Sequence, residues 1–229
     1  MRTMCLSIAV LLLAMPAAAQ SPVDAEISEK SARDDVFPQA EVAFPGDVVA
    51  YPQVEISNLD GFRPVRMDIY APQGRRKPAP AILWVHGGGW SRGDARTSGA
   101  YANWPAVLAS LAARGFVVAS VDYRLSGEAR FPAQIQDVKA AIRHLRTQSG
   151  ALGIGASRVY LWGGSAGGQL ASLAAVTCGV REYDPQPSTG RLSRSQINAL
   201  KGIKARPGEG CVQGAAVWYG VFDLGGVPR

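Results

Sequence analysis

The stretch that decides the fold is Val159-Tyr160-Leu161-Trp162-Gly163-Gly164-Ser165-Ala166-Gly167-Gly168-Gln169-Leu170. It opens on a short apolar run, 159–162, of the kind shown by a strand buried on both faces. It continues into small and apolar residues, 166–176, that predict a helix packed close to that strand. Between them, Gly163-Gly164-Ser165-Ala166-Gly167 fits the pattern G-x-S-x-G. A serine at such a strand-to-helix corner sits on a tight, strained turn. Glycines two residues to either side are needed because a Cβ there would collide with the neighbouring strand and helix. The helix N-terminus directs its free N–H groups and its positive end at the serine. A glycine-rich turn without chemistry and a phosphate-binding turn are the competing readings, but the lysine of a nucleotide loop is missing. Ser165 reads as a nucleophile.

Upstream, 81–85 is another continuous apolar run, followed at once by His86-Gly87-Gly88-Gly89-Trp90. Three successive glycines let the backbone approach a ligand and turn its N–H groups inward. Acyl transfer needs such donors, because the carbonyl oxygen becomes negative in the tetrahedral intermediate. One donor is worth about 3–4 kcal/mol in the transition state. Helical spacing is expected over 100–114, stopped by Gly115, and a buried strand over 116–121. An amphipathic helix is expected over 133–148, with Ile135, Val138, Ile142 and Leu145 on one face. A fourth buried strand falls at 212–219. This alternation predicts an α/β fold, a mostly parallel sheet covered on both faces. Ahead of it, 54–57 and 65–70 predict an antiparallel hairpin around Asn58-Leu59-Asp60-Gly61.

His86 to Trp90, Gly93-Asp94, Asp122-Tyr123-Arg124-Leu125, the helix segment Asp137-Val138-Lys139-Ala140-Ala141-Ile142-Arg143 and the Ser165 elbow stand in an order that resembles one superfamily. This is the α/β-hydrolase superfamily, in its branch of HGGG-type esterases related to hormone-sensitive lipase and to bacterial feruloyl and acetyl esterases. The similarity extends over about residues 54–224. It implies a doubly wound sheet and an oxyanion hole made by the N–H groups of Gly88, Gly89 and Ala166, with His86 orienting that loop. It implies small-molecule or carbohydrate-linked esters as substrates and no metal or organic cofactor. Asp122 and Arg124 are expected to be structural, and Asp223 a loop residue.

The resemblance fails at the base. A serine alcohol is a poor nucleophile until its proton is removed. In this superfamily the acid and then the histidine follow the serine in the chain. The two histidines here, His86 and His144, both precede Ser165. His144 falls within the amphipathic helix and reads as a surface or packing residue. The expectation is a hydrolase domain lacking its last strands and helices, inactive as it stands. A non-catalytic binding protein of the same fold, or a decayed gene fragment, is the rival.

Residues 1–19 read as a signal peptide: a basic start, an apolar run, Pro16, and small residues Ala17-Ala18-Ala19 before cleavage. The apolar run is too short to span a membrane, so an exported, non-inserted protein is expected. Residues 20–48 are weakly patterned and read as a loosely held lead-in to a domain at 49–229. Without Cys5, an even pair remains, and Cys178 and Cys211 are expected to form a disulfide in an oxidising compartment. The intervening 177–210 is long, polar and proline-containing, and is expected to lie over or beside the site. The formal charge of +6 comes from scattered bases without interleaved aromatics, a solvated surface and no nucleic-acid groove. Oligomeric state is left open.

Overall fold

The computed structural model describes residues 40–99, 101–190, 208, 210–223 and 225. The expected signal peptide and most of the lead-in lie outside the described residues. Among the residues described, seven strands form one sheet: β1 (Val42–Phe44), β2 (Val48–Ser57), β3 (Val65–Pro72), β4 (Ala79–Val85), β5 (Val117–Asp122), β6 (Ile154–Gly164) and β7 (Gly214–Trp218). Their spatial order is β1-β2-β3-β5-β4-β6-β7. β5, β4, β6 and β7 run parallel, and β1, β2 and β3 extend the sheet antiparallel. Among the described residues, four α-helices accompany them: α1 (Trp104–Ala112), α2 (Ala133–Thr147), the one-turn α3 (Ser149–Leu152) and α4 (Ala166–Val176).

Strand periodicity explains why both faces are covered. Leu83 and Val85 on β4, and Val117, Ala119 and Val121 on β5, point into a core with Ile135, Val138 and Ile142 of α2 and Leu170 and Ala174 of α4. Their alternates, Trp84, Val118 and Tyr70, point the other way, onto Trp104, Leu108 and Ala112 of α1. Successive side chains on a strand face opposite sides, so the central parallel strands are largely apolar, with Ser120 and Asp122 of β5 as polar exceptions. The expected doubly wound sheet is present.

Differences from the sequence expectations lie at element ends. The sheet begins earlier than expected: Val42–Phe44, assigned to the lead-in, pairs with Val48–Ala50. Helix α1 starts at Trp104 because Asn103 caps it, its Oδ1 accepting from the Ala106 N–H at 3.1 Å, and Pro105 fits the first turn. β6 is longer than 159–162 because Ala79 already pairs with Ile154. Cys178 and Cys211 are joined, as expected, with Cα atoms 4.8 Å apart. Such a crosslink contributes about 3 kcal/mol by restricting the unfolded chain. The described start of the excursion packs against α2 and the turn between β2 and β3. Lys139 of α2 donates to Thr177 O at 2.5 Å, and the Thr189 and Gly190 N–H groups donate to Asn58 O at 2.7 and 2.9 Å. Residues 191–207 lie outside the described residues.

Candidate active site

The chain leaves β4 toward β5 on one side and later returns to β6 on the other. The C-terminal ends of these neighbouring parallel strands therefore form the switch point at which open α/β sheets bind ligands. Val85 is paired with Gly163. Two residues beyond each lie Gly87 and Ser165, which explains how segments about 75 residues apart meet. A Cβ on Gly87 would come within 2.9 Å of Gly164 O and 3.3 Å of the Ser165 Cβ.

Ser165 has φ 54° and ψ −123°, a conformation that L residues rarely adopt. Its N–H donates to Trp218 O of β7 at 2.9 Å, and its carbonyl accepts from Gln169 N at 3.0 Å. The flanking glycines are obligatory on steric grounds. A Cβ on Gly163 would overlap Gly167 O, and one on Gly167 would overlap the carbonyl oxygens of Val85 and His86. Ala166 is the first residue of α4, so its N–H has no acceptor within the helix. Ser165, Gly87 and Gly88 line one cavity of about 430 Å³, together with Arg92, Ser98 and Tyr219. Gly89 is exposed, with φ 62°.

His86 determines how the glycine loop is presented. Its ring is 1% exposed, stacked on Tyr123 at 4.2 Å with planes 10° apart. Nδ1 lies 2.7 Å from Gly87 O. A carbonyl can only accept, so Nδ1 carries the proton. In a trans peptide the C=O and the following N–H point in opposite directions. Fixing Gly87 O against His86 therefore turns the Gly88 N–H away from His86. Tyr123 Oη adds a second restraint, donating to His86 O at 3.0 Å. Gly93 leaves the room this requires, since a Cβ there would stand 2.5 Å from Nδ1 and 2.6 Å from Gly87 O.

Burial lowers the His86 pKa from its ordinary 6.5. Between the folded and unfolded pKa values, the unfolded chain binds a proton that the folded one refuses. Stability must then fall as pH drops below about 6.5, with a slope of up to about 1.4 kcal/mol per pH unit from this group. Urea unfolding between pH 5 and 7.5 is expected to show a shallower slope in His86→Gln than in the unsubstituted protein. Equal slopes would mean that His86 is not held neutral.

The other expected residues fall into place as structure. Asp122 Oδ1 accepts the Ala95 N–H at 2.5 Å, and Ser120 Oγ donates to Ala95 O at 2.6 Å, anchoring the segment after the glycines. Arg124 is buried in an ion pair with Asp137 at 2.7 Å. His144 lies on α2 (Ala133–Thr147), half-buried, its pKa lowered by burial. Asp223 is exposed and accepts from Gly225 N at 2.9 Å. Sequence reasoning passed over Tyr123 as a partner of His86, and also Arg96, whose guanidinium grips buried Asp68 at 2.6 Å. Nothing in residue spacing signals contacts of this kind, because they join different strands and loops.

A strand–serine–helix elbow facing a triple-glycine loop at the switch point of a doubly wound sheet defines the α/β-hydrolase fold. Residues 67–225 match the BD-FAE family, more than half of the chain, and the chain belongs to that family. It is similar to Esterase LipC of Mycobacterium tuberculosis, 37% identical over 130 residues, 57% of this chain and 30% of that protein. It is also similar to a probable isoprenylcysteine alpha-carbonyl methylesterase of Oryza sativa, 33% identical over 142 residues, 60% of this chain and 31% of that one. The chain thus spans about a third of the length of these curated relatives. Among solved structures, a truncated carbohydrate esterase from gut microbiota aligns with TM-score 0.51 and 34% identity, over 62% of this chain and 48% of that one. Esterase 2 of Thermogutta terrifontis shares the fold, with TM-score 0.55 and 22% identity over 80% and 60% of the two chains.

Proposed function

We propose that this chain carries the nucleophile and oxyanion hole of an exported serine esterase acting on carboxylic esters. In this reading Ser165 Oγ attacks the ester carbonyl carbon. The carbonyl electron pair moves onto oxygen and is received by the N–H groups of Gly88, Gly89 and Ala166. The oxyanion collapses, the alcohol departs with the serine proton, and water releases the acid from the acyl-serine. His86 clamps the glycine loop and His144 lies on α2, so this reading assigns the proton to neither. The observation that carries the reading is the shared cavity of Ser165 and Gly88, with the Gly88 peptide set by His86. Export is supported by the N-terminal signal pattern and the Cys178–Cys211 bridge. Small or aromatic acyl groups on sugars are the substrates suggested by the resemblance, and the carbohydrate esterase among the structural neighbours agrees. The unaided Ser165 favours the second reading, a binding protein of hydrolase fold. Reading the coding DNA beyond Arg229 separates the two: an Asp followed by a His supports the esterase, and an immediate stop supports the binding protein.

Prolonged exposure to a p-nitrophenyl phosphonate tests the nucleophile, with peptide mass mapping. The Ser165 Oγ–P bond forms as the P–O bond to p-nitrophenolate breaks, and the serine proton passes to buffer. An adduct confined to the Ser165 peptide, formed faster with added imidazole, is the expected result. Labelling spread over surface serines, with Ser165 unmodified, would sink the proposal.

A further inference from the structure

A parallel sheet brings the starts of its strands to one end of the molecule, and here that end is basic. Arg76 and Lys77 stand just before β4 and Arg114 just before β5. Arg158 lies in the first part of β6, where its Nη2 donates to Pro78 O. The order β5-β4-β6 sets these bases in a row, at about 5 Å per strand. Carboxylates gather at the other end, with Ser165: Asp94 after the glycine loop, Asp122 closing β5 and Asp137 near the start of α2. Among the described acids, Asp47, in the turn between β1 and β2, is the one placed at the basic end. Arg76, Lys77 and Arg114 are exposed and form no ion pair among the described residues. A cavity of about 360 Å³ opens at this end, walled by Arg75, Arg76, Lys77, Tyr51 and the turn at Gly150 and Gly153. Arg75 shapes it, donating from Nε to Pro72 O at 2.8 Å, Nη1 to Gly153 O at 3.0 Å and Nη2 to Leu152 O at 3.1 Å. Those acceptors are neutral carbonyls, and a guanidinium has five N–H donors, so charge and donors remain for an anion.

We propose that this end binds a chain of carboxylated sugars, a uronate-rich polysaccharide, with one unit in the Arg75–Arg76–Lys77 cavity and its neighbours along the row of bases. Arginine and lysine complement carboxylates, arginine in a two-bond geometry. A recessed cavity admits a single unit of a chain, whereas the flat face of a bilayer would meet only its rim. Tyr51 is the one aromatic among the described walls, too few for a run of stacked bases. The strands separate this end from Ser165, so a bound chain leaves the serine cavity open and holds the protein at the polymer. The inference stands on charge and shape and does not require Ser165 to react.

The test is calorimetric titration of the full chain with a short galacturonate oligomer. Binding is expected at low ionic strength and should weaken about ten-fold between about 20 and 200 mM salt, because exposed charges are screened. Arg76→Gln/Lys77→Gln should weaken it about five-fold or more. Arg130→Gln/Arg181→Gln removes the same charge from exposed positions near the start of α2 and should leave binding unchanged. All four side chains are exposed, so both pairs should keep the fold, which circular dichroism checks. Equal weakening by the two pairs, or no binding at low salt, would overturn the proposal. So would tighter binding to phosphatidylglycerol vesicles or to duplex DNA than to the galacturonate oligomer.

Discussion

Asp137→Ala is expected to lower the free energy of unfolding by about 3–5 kcal/mol, the range found when one partner of a buried ion pair is removed. Asp137 and Arg124 have side chains 2% and 3% exposed. Asp137 Oδ2 accepts the Arg124 N–H and Nε–H, both at 2.8 Å, and Oδ1 accepts Nη2–H at 2.7 Å. Without the carboxylate, the guanidinium keeps only a long bond to Ala133 O and the face of Phe62, 4.9 Å away. An uncompensated buried charge is costlier than the lost bonds themselves. At about 2–4 °C per kcal/mol for a domain of this size, the thermal midpoint should fall by roughly 10 °C. Circular dichroism melts check this. The double variant Arg124→Met/Asp137→Leu should melt closer to the starting protein, since it removes both charges together. A loss below about 1 kcal/mol in Asp137→Ala would show that the pair is solvated.

The larger effect is on chemistry. Hydrolysis of p-nitrophenyl acetate by these 229 residues is expected to match that of a Ser165→Ala control. That is a deficit on the order of 10⁶ in kcat relative to a serine site with its base in place. The physical cause is the unassisted alcohol. Ser165 is strained into position and shares a cavity with Gly88, but a proton must leave Oγ for it to attack. His86 follows β4 directly, whose Val85 pairs with Gly163, yet its Nδ1 is committed to Gly87 O, its face to Tyr123, and burial disfavours its protonated form. A general base must accept a proton readily near neutral pH, and a histidine held neutral by burial is poorly suited to that. Initial rates with purified protein decide the matter. Ser165-dependent turnover well above the control would assign the base to His86 and discard the structural role given to it here.

The alternation of apolar runs with helical spacing was enough to specify a doubly wound sheet, because a strand buried on both faces is mostly apolar, a polar side chain such as Ser120 needing a partner. G-x-S-x-G between a strand and a helix was enough to locate the serine corner, because only glycine fits where Gly163 and Gly167 meet backbone oxygens. The cysteine pair was legible from parity, once Cys5 was set aside in the expected signal peptide. By contrast, the β1–β2 pairing was invisible: three residues, Val42–Phe44, carry too little pattern, and their pairing with β2 is set by register across the sheet. The roles of Tyr123, Asp68 and Arg96 were equally hidden, since their partners lie 37 and 28 residues away in the chain.

What the residues by themselves determined was local: which segments are strands or helices, which corner must be glycine-flanked, and that both histidines precede the serine. What only the tertiary structure decided was direction. Stacking on Tyr123 and a bond to Gly87 O turn His86 into a loop clamp, and the crossing at β4 and β6 sets Gly88 in the same cavity as Ser165. The reason is that backbone conformation is governed by neighbours in the chain. The aim of a peptide dipole or an imidazole ring is governed by neighbours in space.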